Sequence, residues 1–327
     1  MKTVEFTQSD LEATARQCRR EIIHMPVLSL EDTLRYMTLR PGITDSERVF
    51  SSSLNAQLVP FRPDYISEEK WKVKGRDLKV QFGTINQPFI PSELYGTILG
   101  HRASQALGDG LKSVISAKDI LCLVAKSVGD GLALAIWTGK YDPEGKTTED
   151  LFDGYDEITR LEIQKGGLSV ANGNYIKLTT PLTSENCCDV IKKQVLYQLD
   201  PMLRKQKTFL FCSQEIADMY NDSYQFAHGT LPYNEKYEKT FVEGSGNLME
   251  IVAMPGKTGS AFIHVATKSE MLVGCDQLSD KERVNVGKYS PDTLMFEMRA
   301  SFGVQFETLH RARMCAVELA DVAALKQ

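Results

Sequence analysis

The chain of 327 residues is 42% apolar and 25% charged, with a formal net charge of −5. This is ordinary globular composition with material for two or more compact units, and its acidic balance argues against a general nucleic-acid binder. Seven cysteines, at 18, 122, 187, 188, 212, 275 and 315, are odd in number and include an adjacent pair. They read as free thiols of a reducing compartment rather than a disulfide framework.

The first residues lack an apolar core of the signal-peptide kind, and the first fifty read as an extended arm with short helices at 10–23 and 30–39, the second stopped by Pro41-Gly42. Residues 51–91 carry Pro60, Pro63, Pro88 and Pro91 around the basic centre 71–82. The expectation there is a two-stranded excursion, 71–73 and 78–82, turning at Gly75. It has little apolar surface of its own and must lie on something else. Helix is expected again after Pro91, with Ser92 as N-cap, Glu93 in the first turn, and Leu94, Ile98, Ala106 and Leu107 on one face.

A second helix places Leu121, Val124, Val128, Leu132 and Ala135 at spacings of three and four, ending at Trp137-Thr138-Gly139 with glycine in a left-handed cap. Lys126 and Gly129-Asp130-Gly131 interrupt its apolar run, which marks a buried helix rather than a membrane span. After a polar loop come a short helix at 154–164 closed by Gly166-Gly167, a helix at 185–199 ended by Pro201, an apolar strand at 208–212, and a helix capped by Ser213. This order suits a small α/β layer. From Leu248 onward the pattern is almost all strand. It ends in the most informative run of the chain, 294–307, where Leu294, Phe296, Met298, Ala300, Phe302, Val304 and Phe306 alternate with mainly polar or small residues. At roughly 3.3 Å per residue that run spans about 40 Å, far beyond the usual strand of about 5–6 residues. Such a strand suits an extended, sheet-backed building block better than a compact enzyme.

The candidate chemistry is sparse. Gly256-Lys257-Thr258 suggests a phosphate loop, but position 251 is Ile where that motif needs glycine, so a hairpin turn is expected. Residues 244–249 read as a turn, since no strand-glycine-helix unit surrounds them. Cys212 sits at a strand-to-helix junction where a thiol can be activated, with His228, His264 and His310 as partners to weigh; His264 lies in an apolar strand and reads as packing. Asp276, Asp280 and Glu282 read as a solvated loop, and no metal-ligand spacing occurs. The basic stretch offers three readings: a solvated face, a weak nucleic-acid site, or a positive surface meeting a neighbour.

This order of parts resembles that of tailed-bacteriophage major capsid proteins of the Hong-Kong-ninety-seven-type fold. The resemblance rests on several segments: the arm, the proline-flanked basic loop, Pro91-Ser92-Glu93-Leu94 opening a spine region, and Ala135-Ile136-Trp137-Thr138-Gly139 followed by a polar insertion and Phe152-Asp153-Gly154-Tyr155. To these it adds 208–220 and 296–306. It implies an α+β chain with an N-terminal arm (1–56), an extended hairpin loop (57–90) and a spine-helix region of a peripheral domain (91–150). An α/β axial domain (151–245) and strands returning to the peripheral sheet (246–327) complete it. The implied function is a major capsid protein of a tailed phage or prophage, self-assembling noncovalently into hexamers and pentamers of an icosahedral head around DNA. No catalytic, cofactor or metal residue is implied. The implied partners are copies of itself, with portal and scaffold proteins as further candidates and genomic DNA touched only nonspecifically; no membrane partner is implied. The implied location is the virion, after assembly in the bacterial cytoplasm. Inter-subunit contact is expected at Trp71, Lys72, Lys74, Arg76 and Lys79. Two other classes remain open: a tail or connector protein, and a cytosolic enzyme using Cys212.

Overall fold

The computed structural model describes residues 30–53, 72–89, 117–228, 240–276, 283–290 and 293–320. In chain order its elements are α1 (Glu31–Leu34), β1 (Thr38–Pro41), β2 (Ser46–Ser53), β3 (Lys72–Lys79), β4 (Gln81–Phe89), α2 (Ala117–Thr138), α3 (Tyr155–Gln164), β5 (Tyr175–Lys177), α4 (Cys187–Val190), α5 (Pro201–Arg204), β6 (Thr208–Cys212), α6 (Gln214–His228), β7 (Met249–Ala253), β8 (Phe262–Ala266), β9 (Met271–Cys275), β10 (Arg283–Ser290), β11 (Thr293–Phe306) and β12 (Met314–Glu318). One sheet has the order β1-β9-β11-β10, with β4 also paired to β11; a second has the order β5-β12-β8-β6-β7; β2 and β3 form a separate ribbon.

The alternating run does become one strand, β11, of 14 residues. Its first part lies against β10 and β4, and residues 302–306 pair with β9. Phe296, Met298, Phe302, Val304 and Phe306 are buried as the alternation requires. The opposite face is not uniformly wet: Ser301 is buried too. The corner between β3 and β4 crosses next to it, where a Cβ on Gly303 would sit 2.0 Å from the Lys79 carbonyl oxygen.

The second sheet is covered on both faces, which explains why its strands are almost wholly apolar. Period-two alternation divides it. Leu210, Cys212, Ile263, Val265, Cys315 and Val317 point to a core shared with α4 and α6, whereas Phe209, Phe211, Ala266, Met314 and Ala316 point to the core built with α2 and the first sheet. That second core includes Leu132, Ile136 and Trp137 of α2 and Val273, Phe302 and Phe306 of the first sheet, so it is the joint between the two sheets.

Several local expectations are corrected. Only Glu31–Leu34 of the expected 30–39 helix is helical; Thr38–Pro41 is an edge strand parallel to β9, because backbone pairing with β9 overrides a short helical period. The 185–199 helix is irregular: α4 continues as a π-turn (Ile191–Val195) and a 3-10 turn (Leu196–Gln198). Pro201 opens α5 instead of merely ending its predecessor, at a position where its missing N–H is not needed, and the Asp200 carboxylate caps that turn by accepting the Met202 N–H at 2.8 Å. The expected helices at 10–23 and from Ser92 through Leu107 lie outside the described residues.

Candidate assembly surfaces and the joint between the sheets

The expected turn at Gly75 does not exist. Gly75 is in the middle of β3, opposite Phe50, and β3 pairs antiparallel with β2 from Ser46↔Lys79 to Ser53↔Lys72. The stretch expected as the second half of the hairpin, 78–82, is divided: Leu78 and Lys79 end β3, whereas Gln81 and Phe82 begin β4, which joins β11 in the first sheet. A Cβ on Gly75 would lie 2.5 Å from the Nε of Arg48, an exposed side chain that can move aside.

Among the described side chains, those near the base anchor the ribbon. Ile43, Val49, Leu78 and Val80 pack with Leu272 of β9. Arg76 Nη2 donates to Glu162 Oε1 at 3.0 Å and to Gln305 Oε1 at 2.8 Å, tying β3 to α3 and β11. Farther out, Phe50 is 63% exposed, with the Arg48 guanidinium over its ring. A two-stranded ribbon without a third layer is marginal in water. Of the residues expected at an inter-subunit contact, Arg76 is thus committed within its own chain. Lys79 is exposed, Lys72 and Lys74 pair through the backbone with Ser53 and Ser51, and Trp71 lies outside the described residues. A groove of about 480 Å³ opens nearby between the β4–β11 face, α2 and the 141–151 loop, and Phe82, Ile85, Leu132, Tyr141 and Leu151 line it.

Behind the ribbon the end of α2 is unusually crowded. Gly139 does not take a left-handed cap. It is glycine because a Cβ would sit 2.5 Å from the Ala135 carbonyl oxygen and 2.7 Å from that of Phe152; one on Gly154 would sit 2.6 Å from the Trp137 oxygen and 2.7 Å from that of Ala135. The Gly154 N–H donates to the Gly139 carbonyl at 2.8 Å. The two glycines let the returning chain press onto the last turn of α2. Tyr155 then starts α3 with its ring against Trp137 and Phe306 and its hydroxyl donating to the Leu272 carbonyl at 2.9 Å. Gly166, at φ +76°, closes α3, with the Gly167 N–H returning to the Glu162 carbonyl.

The centre of the joint holds a polar cluster that sequence reasoning missed. Lys257 is fully buried in the turn between β7 and β8. Its Nζ donates to Asp156 Oδ1 at 2.9 Å and His264 Nδ1 at 3.1 Å, and lies 4.6 Å from the Trp137 ring centre. The Thr159 hydroxyl donates to the Tyr155 carbonyl at 2.7 Å, so its oxygen accepts from His264 Nε2 at 2.8 Å. That network assigns the proton to Nε2 and leaves Nδ1 as acceptor for the lysine. Burial, and secondarily the Lys257 charge, hold the imidazole pKa well below its ordinary value; burial lowers that of Lys257 against the opposing pull of Asp156. The expected hairpin at 253–260 is also corrected: β6 lies between β7 and β8, so this connection crosses it. The mark legible in the sequence was Gly256, where a Cβ would meet the Ala133 carbonyl oxygen of α2 at 2.2 Å.

Cys212 is buried, and burial pushes its thiol up to about 12. His264 faces Lys257 and Thr159, not this thiol. Alkylation of the native chain should therefore spare Cys212 until unfolding, as timed peptide mapping with iodoacetamide would show; rapid labelling at pH 7 would reopen the nucleophile reading. Asp276 is buried rather than solvated, while Asp280 and Glu282 lie outside the described residues. Residues 244–249 do form a turn, with Gly244, Gly246 and Asn247 at positive φ. Among the described residues no group of three His, Cys, Asp or Glu side chains is placed to hold a metal ion, and no helix is long and apolar enough to cross a membrane.

No protein-family model matches the chain, and no curated protein is similar to it in sequence. Solved structures are similar along nearly the whole chain. A chain of the satellite phage P4 procapsid with its size-determination (Sid) protein shares 12% identity, with 97% of this chain and 92% of that one covered and a TM-score of 0.55. A chain of the native GTA particle capsid shares 11% identity, with coverage of 98% and 93% and a TM-score of 0.55. A chain of the holo-SrpI encapsulin complex from Synechococcus elongatus PCC 7942 shares 10%, with coverage of 99% and 92% and a TM-score of 0.50. The fold is the Hong-Kong-ninety-seven-type fold of shell-forming proteins, the one expected from the order of parts.

Proposed function

We propose that this chain is the major structural subunit of a tailed-phage or prophage head, assembling noncovalently with copies of itself into hexamers and pentamers of a closed icosahedral shell around DNA. The observation that carries this reading is a capsid fold matched over nearly its full length, bearing a two-stranded ribbon, β2–β3, that pairs with neither large sheet. The outer ribbon lies on an adjacent copy, and the basic residues Lys72, Lys74 and Lys79, with Trp71, meet acidic surface there. Portal and scaffold proteins are further partners in this reading, DNA is touched only nonspecifically, and assembly takes place in the bacterial cytoplasm. Of the domain limits proposed from the sequence, 1–56, 57–90, 91–150, 151–245 and 246–327, the boundary of the extended loop is redrawn: β3 pairs with β2 of the 1–56 segment, and β4 belongs to the first sheet.

The test is charge reversal at Lys72, Lys74 and Lys79 together, leaving Arg76 intact because it holds the ribbon base. Closed particles in negative-stain micrographs should fall at least about tenfold, since like charges across an interface cost several kcal/mol. Unfolding of the unassembled chain should stay within about 0.5 kcal/mol per substituted surface residue. Unchanged particle yield would remove these lysines from the interface. Rings or tubes in place of closed shells would favour a tail or connector protein. The encapsulin likeness supports a second reading, a shell of the encapsulin kind that is not a phage head; nuclease-protected DNA in purified particles would favour the phage head.

A further inference from the structure

Among the described residues, two stretches of chain run directly from a strand of one large sheet to a strand of the other: 267–270, from β8 to β9, and 307–313, from β11 to β12. They cross side by side. The Glu307 N–H donates to the Glu270 carbonyl at 2.9 Å, and the Thr267 N–H to the Arg313 carbonyl at 3.2 Å. The Glu270 side chain is fully buried between them. Its Oε1 accepts the Thr308 N–H, and its Oε2 faces the Thr308 hydroxyl at 3.2 Å. The same hydroxyl accepts the His310 N–H at 3.1 Å. One carboxyl group on the first crossing thus engages both polar groups of a residue on the second.

We propose that Glu270 is a proton-operated clamp on the joint between the sheets: neutral, it holds the two crossings closed; ionised, it favours their separation so that the carboxylate reaches water. An ionised carboxylate in a dry site loses hydration that two hydrogen bonds replace only in part. Burial pushes the Glu270 carboxyl up to about 7, and Glu307 adds to the effect, while the hydrogen bonds from Thr308 and the Arg313 charge oppose it. Arg313 is itself paired with Glu307 at 3.0 Å, which weakens its pull. The Tyr155 hydroxyl, which donates to the Leu272 carbonyl, is also within the field of Glu270; burial, with Glu270 second, raises its pKa well above the ordinary value, so it stays neutral throughout the range. Because the closed joint holds the Glu270 proton more tightly than the open one, closure is complete below the ordinary carboxyl pKa. It is lost as pH rises through about 7.

Hydrogen exchange of the whole unassembled chain between pH 5.5 and 8.5, corrected for intrinsic rates, tests this. Protection at 268–272 and 306–310 should fall at least about tenfold between pH 5.5 and 7.5 and then level off. Glu270→Gln keeps the acceptor for the Thr308 N–H but cannot ionise, and should make that profile flat. Thr308→Val removes a hydrogen bond to the charged form and should move the levelling point to higher pH. A flat wild-type profile, or a Glu270→Gln profile with the same fall, overturns the clamp. Should Glu270→Gln not fold, Thr308→Val decides: an unmoved levelling point overturns it.

Discussion

Replacing Asp156 by alanine should destabilise the unassembled chain by about 3–5 kcal/mol, the usual cost of removing one partner from a buried ion pair. Lys257 is fully buried, and Asp156 Oδ1 at 2.9 Å is its anionic partner. His264 already presents its Nδ1 as a neutral acceptor and cannot supply negative charge. Without the carboxylate the lysine must shed its proton in the fold, so its already lowered pKa falls further. A base whose folded pKa is depressed loses stability as pH falls below its unfolded value of about 10.4. The Asp156→Ala variant should therefore gain stability more steeply than the parent as pH rises from 7 toward 10. Adding Lys257→Met removes the stranded charge and should recover most of the loss. Lys257→Met alone should cost less than Asp156→Ala, because the Asp156 side chain is 13% exposed and can reach water. Urea unfolding at pH 7 and pH 9 measures all four; an Asp156→Ala chain within about 1 kcal/mol of the parent would show that this pair does not hold the joint.

Alanine at Gly154 should cost about 3 kcal/mol, the upper end of ordinary overpacking. The added methyl would meet the carbonyl oxygens of Trp137 and Ala135 at 2.6 and 2.7 Å and the Trp137 carbonyl carbon at 2.8 Å. All three are backbone atoms in the last turn of α2, so no side chain can swing aside. Gly166→Ala provides the contrast. Nothing lies within 4 Å of a Cβ there, and only the φ of +76° opposes it, a penalty of about 1 kcal/mol. Gly287→Ala, with open space and no positive φ, should be near neutral. Equal losses at 154, 166 and 287 in chemical denaturation would rule out close approach as the reason for glycine at the end of α2.

Legibility tracked how local each physical cause was. The long alternating strand was readable because burial of one face is a period-two property, and 208–212 because a strand covered on both faces is apolar throughout. Pro41 and Gly75 misled: punctuation that usually ends or turns an element here sits at the end of an edge strand and under an arginine from the paired strand. The contact candidates were chosen from one basic stretch and its tryptophan. Charge does not reveal that Arg76 is spent on Glu162 and Gln305, residues 86 and 229 positions away. The burial of Lys257 was not legible in the expected turn because its partners Asp156, His264 and Trp137 come from three different elements.

By itself the sequence determined the long alternating strand, the apolar strand at 208–212 and the order of parts expected of the fold, since these follow from side-chain period and turn chemistry within a few residues. Tertiary structure alone decided which strands pair: β3 with the distant β2, β4 with β11, and β6 inserted between β7 and β8. It also decided which charges are buried. Backbone hydrogen bonds carry no address of their own, and a charged side chain is assigned to water or to a partner only when the whole core closes around it.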